Sequence, residues 1–163
     1  MYRKSIAYGE VIISNDQQQY VPYETWFRRT IQWIDVNINE TQYTIINIHG
    51  LWEKDKGKND SPDRIKQSKN ILKFLETKKD RNIILIGDFN LNPDTDSLNM
   101  IESFPLTNLI KKYNITDTRT SLYSKENRYA DYALVSAEIF IKEFKVLPEE
   151  VSDHAALYLE IKE

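Results

Sequence analysis

Ile83-Ile84-Leu85-Ile86-Gly87-Asp88-Phe89-Asn90-Leu91-Asn92-Pro93 is the stretch that decides the fold predicted for this chain. Its four aliphatic residues form an uninterrupted run, bounded by the charged segment 78–81 before it and by Pro93 after it, which is typical of a strand covered on both faces. The strand ends on Asp88 and Asn90, whose side chains we expect on one side because alternate residues of an extended chain share a face. Ligands bind beyond the carboxyl ends of strands in open α/β sheets. Taken alone, however, Asp-x-Asn favours a simple Asx-rich turn.

The composition is that of one ordinary globular domain. The chain has 163 residues, of which 40% are hydrophobic and 29% charged, and this is enough to bury a sizeable core. We expect a cytoplasmic location because the sequence has neither a secretory signal nor an apolar run near the ~20 residues of a membrane span. The chain has no cysteine, so any metal must be held by oxygen or imidazole.

The net charge of −3 gives no global cationic field, which argues against a nucleic-acid coat protein. It does not argue against an enzyme that acts on phosphate esters. A bound divalent cation supplies positive charge locally in such a site.

Periodicity along the chain predicts an α/β fold with many strands, arranged in two sheets rather than one. Strands are predicted at residues 7–14, 30–38, 42–49, 83–87, 117–122, 129–136, 139–146 and 156–161. A helix is expected from the N-cap Ser61 to about Lys78, a shorter one between Thr95 and Pro105, and one further turn at residues 109–113. The segments 17–19 and 51–60 are polar and predict surface loops.

Four short polar motifs fall at strand ends or in adjoining loops. They are Asn47-x-His49, Gly87-Asp88-Phe89-Asn90, Tyr129-Ala130-Asp131-Tyr132 and Ser152-Asp153-His154. Asp131 lies in an otherwise apolar strand, where a carboxylate is costly to bury without a partner. A histidine is the natural partner, and the chain has two of them. Each motif alone is as compatible with a structural histidine, or with an aspartate bonded only to backbone, as with a site.

Taken in order, the four motifs resemble those of the endonuclease/exonuclease/phosphatase superfamily. These are metal-dependent phosphohydrolases that include DNase I-like nucleases, apurinic endonucleases, sphingomyelinases and inositol polyphosphate phosphatases. The resemblance covers residues 29–161 and implies a two-sheet α/β/β/α sandwich of DNase I-like type, here without its N-terminal strand–helix unit. Residues 1–163 are then a single, incomplete domain of this kind.

The resemblance implies a role for each residue that matches a motif. The reaction is an in-line attack of water on phosphorus, without a covalent enzyme intermediate. His154 would contact the phosphate or serve in acid–base chemistry, with Asp131 fixing its tautomer. Asp88 and Asn90 would orient the attacking water and bind transition-state oxygens, and His49 would contact the phosphate.

The resemblance also implies a divalent metal, usually Mg²⁺ and alternatively Mn²⁺, held by Asp153. Family members usually begin with a strand and helix that carry a Gln-Glu pair, and its glutamate is a principal metal ligand. No such pair occurs in the opening residues here, and Glu10 and Glu24 lack the expected context for replacing it. We therefore expect weak divalent-metal binding and little or no hydrolysis by this chain alone.

Three further residues are candidates for contacts with the substrate. Arg29 lies where similar sequences carry an arginine at the start of a strand, although Arg28 adjoins it. Arg119 is within reach of a phosphate, and Trp52 is placed to stack on a base or ring. Exposed structural arginines and a tryptophan packed under its loop are the competing interpretations.

Two functions stay open. The first is a Mg²⁺-dependent phosphoesterase, a nuclease or phosphatase, whose substrate is a nucleic acid or a small phosphoester. The second is a non-catalytic binding module that keeps the fold, because a fold alone does not establish function. The chain is accordingly expected to be either a fragment of a longer protein or a naturally shortened relative.

Overall fold

The computed structural model describes residues 4–13 and 29–162, with side chains described from residue 7 onward. The strands and helices within these ranges are β1 (Lys4–Ile12), β2 (Thr30–Ile38), β3 (Thr41–His49), α1 (Pro62–Glu76), β4 (Asn82–Asp88), α2 (Asp96–Glu102), β5 (Leu106–Asn108), α3 (Leu109–Lys112), β6 (Asp131–Ser136), β7 (Ile141–Val146) and β8 (Leu157–Ile161). Six strands form one sheet in the order β1-β2-β3-β4-β6-β5, and β7 and β8 form a second. The predicted two-sheet α/β class is confirmed.

Strand β4 lies inside the large sheet, parallel to β3 and antiparallel to β6. Its side chains alternate between two covered faces. Leu85 shares a face with Trp33, which packs on Phe74 of α1 with ring centroids 6.0 Å apart. Ile84 and Ile86 point the other way and line a cavity of about 410 Å³ between the large sheet and the β7–β8 pair. The prediction of a strand buried on both faces is therefore confirmed.

Helix α1 connects the parallel strands β3 and β4, and its start follows from the sequence. The Ser61 hydroxyl accepts a hydrogen bond from the backbone N–H of Arg64, and Pro62 occupies the first turn, where its missing N–H has no partner to lose. The predicted boundary at Ser61 is confirmed, although the helix ends at Glu76, two residues before the predicted Lys78. Helix α2 likewise begins after the N-cap Thr95.

The predicted strand at 117–122 is wrong. This segment is a loop in which several backbone N–H groups donate to side chains, while those of Thr118 and Thr120 donate to the carbonyls of Arg128 and Asp153. Asp117 Oδ1 accepts from the N–H of Arg119 at 2.7 Å, and Glu150 Oε1 accepts from the N–H of Ser121 at 2.7 Å. Short polar side chains compete with sheet ladders in this way. Alternation in the sequence could not reveal these side-chain contacts.

Other boundaries differ by a few residues. Strand β1 begins at Lys4, before the predicted residue 7, and the short strand β5 was not predicted. The predicted loop at 17–19 lies outside the described residues, as does Glu24. No helix in the described part of the chain is long and apolar enough to cross a membrane.

Candidate active site

Three of the predicted site residues lie side by side across three neighbouring strands. His49 at the end of β3 is paired with Asp88 at the end of β4, and Asp88 is paired with Asp131 at the start of β6. Directly paired residues in adjacent strands project their side chains from the same face. The sheet register therefore brings an imidazole and two carboxylates together on the face that looks toward β7 and β8.

Two glycines allow this close arrangement. A Cβ on Gly87 would lie 2.0 Å from the backbone oxygen of Ile48, and Gly87 has φ +131°, a conformation that side chains other than hydrogen rarely allow. A Cβ on Gly50 would lie 2.3 Å from the backbone oxygen of Phe89. Glycine at these two positions therefore lets the backbones at the ends of β3 and β4 pack closely together.

His154 joins the row from the loop before β8. Its Nδ1 atom lies 2.7 Å from Oδ2 of Asp131. A carboxylate only accepts, so Nδ1 carries the hydrogen and Nε2 is the free nitrogen of the neutral ring. Burial raises the pKa of Asp131, and the hydrogen bond from His154 opposes that rise. The partner of Asp131 in β6 is thus a histidine, as the sequence predicted.

Asp88 lies between the two imidazoles. Its Oδ2 atom is 3.9 Å from Nε2 of His49 and 3.9 Å from Nε2 of His154. These separations are too long for direct hydrogen bonds and suit contact through an intervening molecule. One carboxylate oxygen and two ring nitrogens therefore converge on a common space at the edge of the sheet.

His49 also contacts the predicted phosphate-binding residue Arg29. The Arg29 guanidinium NH1 lies 3.3 Å from Nδ1 of His49, and because a guanidinium only donates, Nδ1 accepts and Nε2 carries the hydrogen. Burial, followed by the Arg29 charge, lowers the pKa of His49, while the Asp88 carboxylate raises it. The lowered pKa favours a neutral His49 that presents an N–H donor.

Asn90 does not continue the strand, so the prediction of an extended chain through this residue is wrong. Strand β4 ends at Asp88, and Asn90 has φ +53°. Its backbone N–H donates to Asp88 Oδ1 at 2.8 Å, which is the Asx turn that the short motif alone favoured. The side chain is 5% exposed, and its Nδ2 donates to the carbonyl of Gly50 at 3.3 Å. The turn engages only Oδ1 of Asp88, so Oδ2 still faces the two histidines of the site.

Asp153, the predicted metal ligand, lies beside His154 and is paired with Arg119. Arg119 NH1 donates to Asp153 Oδ2 at 2.9 Å, with the arginine side chain 5% and the aspartate 49% exposed. A backbone bridge between Arg119 and His154 sets this pairing. Arg119 is therefore a buried cation at the site, not an exposed structural arginine.

The residues fit a weakly held Mg²⁺ better than a closed metal cage. No group of three His, Asp or Glu side chains in residues 7–13 and 29–162 is arranged to hold a metal ion. Mg²⁺ often uses only one or two carboxylates, with waters and substrate phosphates as its other ligands. Asp153 supplies one such carboxylate, for which Arg119 competes. Glu10 lies on β1, which β2 and β3 separate from β4, and it accepts from the side chain of Gln32 at 2.9 Å.

Trp52 lies in the loop that follows β3. The ammonium of Lys125 stands 5.2 Å from the centre of its ring, so two loops on this side of the site meet at a cation–π contact. The ring is partly exposed. Its predicted role in stacking on a substrate stays a prediction.

Sequence reasoning missed Lys58 and Thr118. The segment 51–60 was predicted to be a surface loop, yet Lys58 is 1% exposed and its ammonium donates to the carbonyls of Asn127 and Tyr129. The buried Thr118 hydroxyl accepts from the N–H groups of Ala130 and Asp131. Neither residue belongs to a motif, and a lysine in a polar loop gives no sign in the sequence that it will be buried.

Comparison with protein families matches residues 8–154 to the Endonuclease/Exonuclease/phosphatase family. Comparison with curated proteins gave no match. Among solved structures, a mannosyl-6-phosphatase of Bacteroides thetaiotaomicron, Bt3783, is 18% identical with a TM-score of 0.74, and the match covers 98% of this chain and 67% of that one.

Two further solved structures have the same fold. The human Nocturnin catalytic domain with bound sulfate is 16% identical with a TM-score of 0.68, covering 97% of this chain and 60% of that one. D. rerio TDP2 complexed with a single-stranded DNA product is 14% identical with a TM-score of 0.70, covering 99% and 69%. The predicted DNase I-like sandwich is confirmed, and the chain spans between 60% and 69% of the length of these three structures.

Proposed function

The chain belongs to the endonuclease/exonuclease/phosphatase family, and from this we propose that it hydrolyses a phosphate ester by in-line attack of water, with Mg²⁺ or Mn²⁺ as cofactor. One observation carries the proposal: the Nε2 atoms of His49 and His154 both lie 3.9 Å from Oδ2 of Asp88. Space for a reacting phosphoryl group or water beside one carboxylate and two imidazoles is what such a reaction needs.

In this proposal His154 moves the proton. Asp131 accepts the hydrogen bond from Nδ1, so it holds the ring in one tautomer and stabilises the imidazolium that forms when Nε2 takes a proton. Nε2 then faces the same space as Asp88. The arrangement allows His154 to act as base toward water or as acid toward a leaving oxygen.

Asp88 orients the water. Its Oδ1 is already engaged by the N–H of Asn90, so Oδ2 is the oxygen that accepts a hydrogen bond from the attacking molecule. The buried amide of Asn90 is anchored to Gly50 and contributes a fixed polar group at the turn. His49, as a neutral N–H donor, binds an oxygen of the phosphoryl group.

The metal would be held by Asp153. When bound, a divalent ion acts as a Lewis acid that polarises a phosphoryl oxygen. Asp153 reaches the ion through the carboxylate that now pairs with Arg119, and the guanidinium, once displaced, is available to a substrate phosphate. Weak metal binding by this chain alone follows from that competition and from the single carboxylate.

The substrate class is a phosphoester, either a nucleic acid or a small molecule. The solved neighbours include a protein named as a mannosyl-6-phosphatase and another bound to single-stranded DNA, so the fold serves both classes. In this chain Arg29, Arg119 and Trp52 are the proposed substrate contacts. The proposed location is the cytoplasm.

The second candidate function is a binding module without catalysis. It is favoured by the Arg119–Asp153 ion pair, which neutralises the carboxylate that the cofactor needs. Such a module would bind phosphate at Arg119 and the two histidines and would not hydrolyse a phosphate ester.

Turnover of an aryl phosphate monoester and an aryl phosphate diester, each with Mg²⁺ and with Mn²⁺, tests the proposal. We expect slow hydrolysis of one of them that is lost in His154→Gln, with Ser124→Ala, at an exposed serine, as a control. Binding of the esters without turnover in any metal would favour the binding module, and equal rates in wild type and His154→Gln would contradict the proposed site.

A further inference from the structure

Lys58 is a buried ammonium that the proposed chemistry does not use. It lies in the loop between β3 and α1, is 1% exposed, and donates from Nζ to the carbonyl of Asn127 at 2.7 Å and to that of Tyr129. Burying a cation is costly unless its hydrogen bonds are replaced. Both carbonyls belong to the segment that leads directly into Asp131, so the contact lies close to the site.

The loop that carries Lys58 is itself held rigidly. The fully buried Arg64 donates from its guanidinium to the carbonyl of Gly57 at 2.6 Å and to that of Leu51 at 3.3 Å, and also to the carbonyl of Asn59. Three carbonyls of one loop are thereby fixed to helix α1. The backbone of Lys58, between Gly57 and Asn59, is therefore fixed, and its side chain extends from this fixed position.

The backbone of Lys58 also holds the turn after β4. Its carbonyl accepts from the N–H of Asn92 at 2.9 Å, two residues beyond Asn90. One residue therefore contacts two site segments, the turn that follows Asp88 and the segment that precedes Asp131. Its own loop begins just after His49.

Movement of residues 127–129 would be passed on to Asp131. The N–H groups of Ala130 and Asp131 both donate to the hydroxyl of Thr118, at 3.0 and 3.2 Å. The carbonyl of Ala130 accepts from the N–H of Phe89 at 2.8 Å, next to Asp88. The segment is thus tied on both sides, and Lys58 supplies the bonds at its start.

The charge of Lys58 also reaches the site. Burial, and next the charge of Arg119, lower its pKa to about 8, while Asp88 and Asp131 raise it. Lys58 Nζ lies 5.0 Å from the ring centre of Tyr123, and the guanidinium carbon of Arg119 lies 4.3 Å from the same centre. Each cation is attracted to this one ring, which offsets part of the repulsion between them. Lys58 therefore lies within electrostatic range of two carboxylates of the site.

We propose that Lys58 is a positioning residue: through the carbonyls of Asn127 and Tyr129 it sets the place of Asp131 relative to both Asp88 and His154, and so maintains the hydrogen bond between Asp131 and His154. The catalytic meaning of this inference rests on the proposed function. The geometric part does not, because the Asp131–His154 contact exists whether or not the chain turns over an ester.

A chemical exchange at position 58 tests the inference. The chain has no cysteine, so a cysteine introduced by Lys58→Cys is its only thiol. Alkylated in the unfolded state with 2-bromoethylamine it gives a lysine analogue, and with bromoethane it gives a neutral side chain that lacks only the amine. Lys56→Met, at an exposed lysine of the same loop, controls for loss of a charge there.

The readout is the hydrogen-bonded Nδ1–H proton of His154 in the NMR spectrum. With two histidines in the chain, a His49→Gln variant assigns it. We expect the downfield signal in wild type, in the amine form and in Lys56→Met, and its loss in the neutral form while the amide spectrum stays dispersed. An unchanged signal in the neutral form would overturn the inference, and so would collapse of its whole amide spectrum, which would show a general structural role.

Kinetics give a second, separate readout if the chain is active. A misplacement of about 1 Å costs about 100-fold in rate, so we expect kcat to fall by that order in the neutral form, with KM unchanged and recovery in the amine form. Equal kcat in the two forms would contradict the catalytic meaning of Lys58. Failure of the proposed function is distinct, since it abolishes turnover in wild type and leaves the NMR comparison intact.

Discussion

Nδ1 of His154 lies 2.7 Å from Oδ2 of Asp131, and this contact joins the two sheets at the site. Asp131 begins β6 of the large sheet, while His154 lies in the loop before β8 of the small one. A catalytic pair formed across two sheets depends on how the sheets pack. Because of this contact, replacing Asp131 should change catalysis without changing the fold.

Asp131→Asn should reduce catalysis without unfolding the chain. The amide keeps the shape of the carboxylate, but it can donate to Nδ1, which favours the other tautomer, and it cannot stabilise an imidazolium. We expect kcat to fall by about 10²- to 10⁴-fold, the contribution that proton transfer by a positioned side chain makes. Circular dichroism should show an unchanged fold, and a kcat equal to that of wild type would count against the assigned role.

His49 should titrate below its ordinary pKa, and Asp88→Asn should lower its pKa further. Burial and Arg29 disfavour the imidazolium of His49, whereas the Asp88 carboxylate favours it and Asp131 favours it less, so removal of the Asp88 charge takes away the larger of the two effects that raise this pKa. The ring-proton shifts of His49 as a function of pH, measured without divalent metal in a His154→Gln background, give the midpoint. A midpoint that rises in Asp88→Asn would contradict the proximity of the two side chains.

Arg119→Gln should strengthen divalent-metal binding and weaken phosphate binding. The guanidinium competes with the ion for Asp153, and a partly exposed ion pair contributes up to about 1 kcal/mol, so we expect the Mn²⁺ affinity to rise about two- to five-fold. Inorganic phosphate should bind more weakly because a cation has gone. Lys142→Gln, which removes an equal charge from an exposed pair with Glu160, should change neither affinity.

Gly87→Ala should destabilise the chain far more than Gly57→Ala. Both glycines have positive φ, so each alanine carries backbone strain of about 1–3 kcal/mol. Only at Gly87 does the new methyl group also meet backbone, 2.0 Å from the oxygen of Ile48, whereas nothing lies within 4 Å at Gly57. Urea unfolding should therefore show a loss of about 3 kcal/mol or more for Gly87→Ala, and comparable losses for both variants would contradict the close contact.

The sequence predicted those parts of the fold that local patterns encode. The aliphatic run before Asp88 indicated a buried strand, and Ser61 with Pro62 indicated where α1 begins; both predictions are confirmed. The order of the four motifs also indicated the family that the comparison with protein families confirms. Short-range patterns and family motifs together placed His49 and Asp88 at strand ends and Asp131 within a strand, which in the structure begins at Asp131 itself.

Contacts between loops could not be predicted in the same way. The pairing of Arg119 with Asp153 and the burial of Lys58 join segments more than 30 residues apart, and no periodicity in either segment records them. The segment 117–122 has the alternation of a strand, yet several of its backbone N–H groups donate to side chains such as that of Glu150. These features arise from tertiary contacts, which override local propensity.

The dependence of ester hydrolysis on Mg²⁺ in wild type and Asp153→Asn tests the central claim most directly. Asparagine keeps the shape of the side chain and removes the charge that holds the ion. The proposed function predicts slow turnover that rises with Mg²⁺ without saturating at low concentration, is abolished by EDTA, and is lost in Asp153→Asn. Equal Mg²⁺ dependence in the two proteins, or an undiminished rate in EDTA, would contradict it.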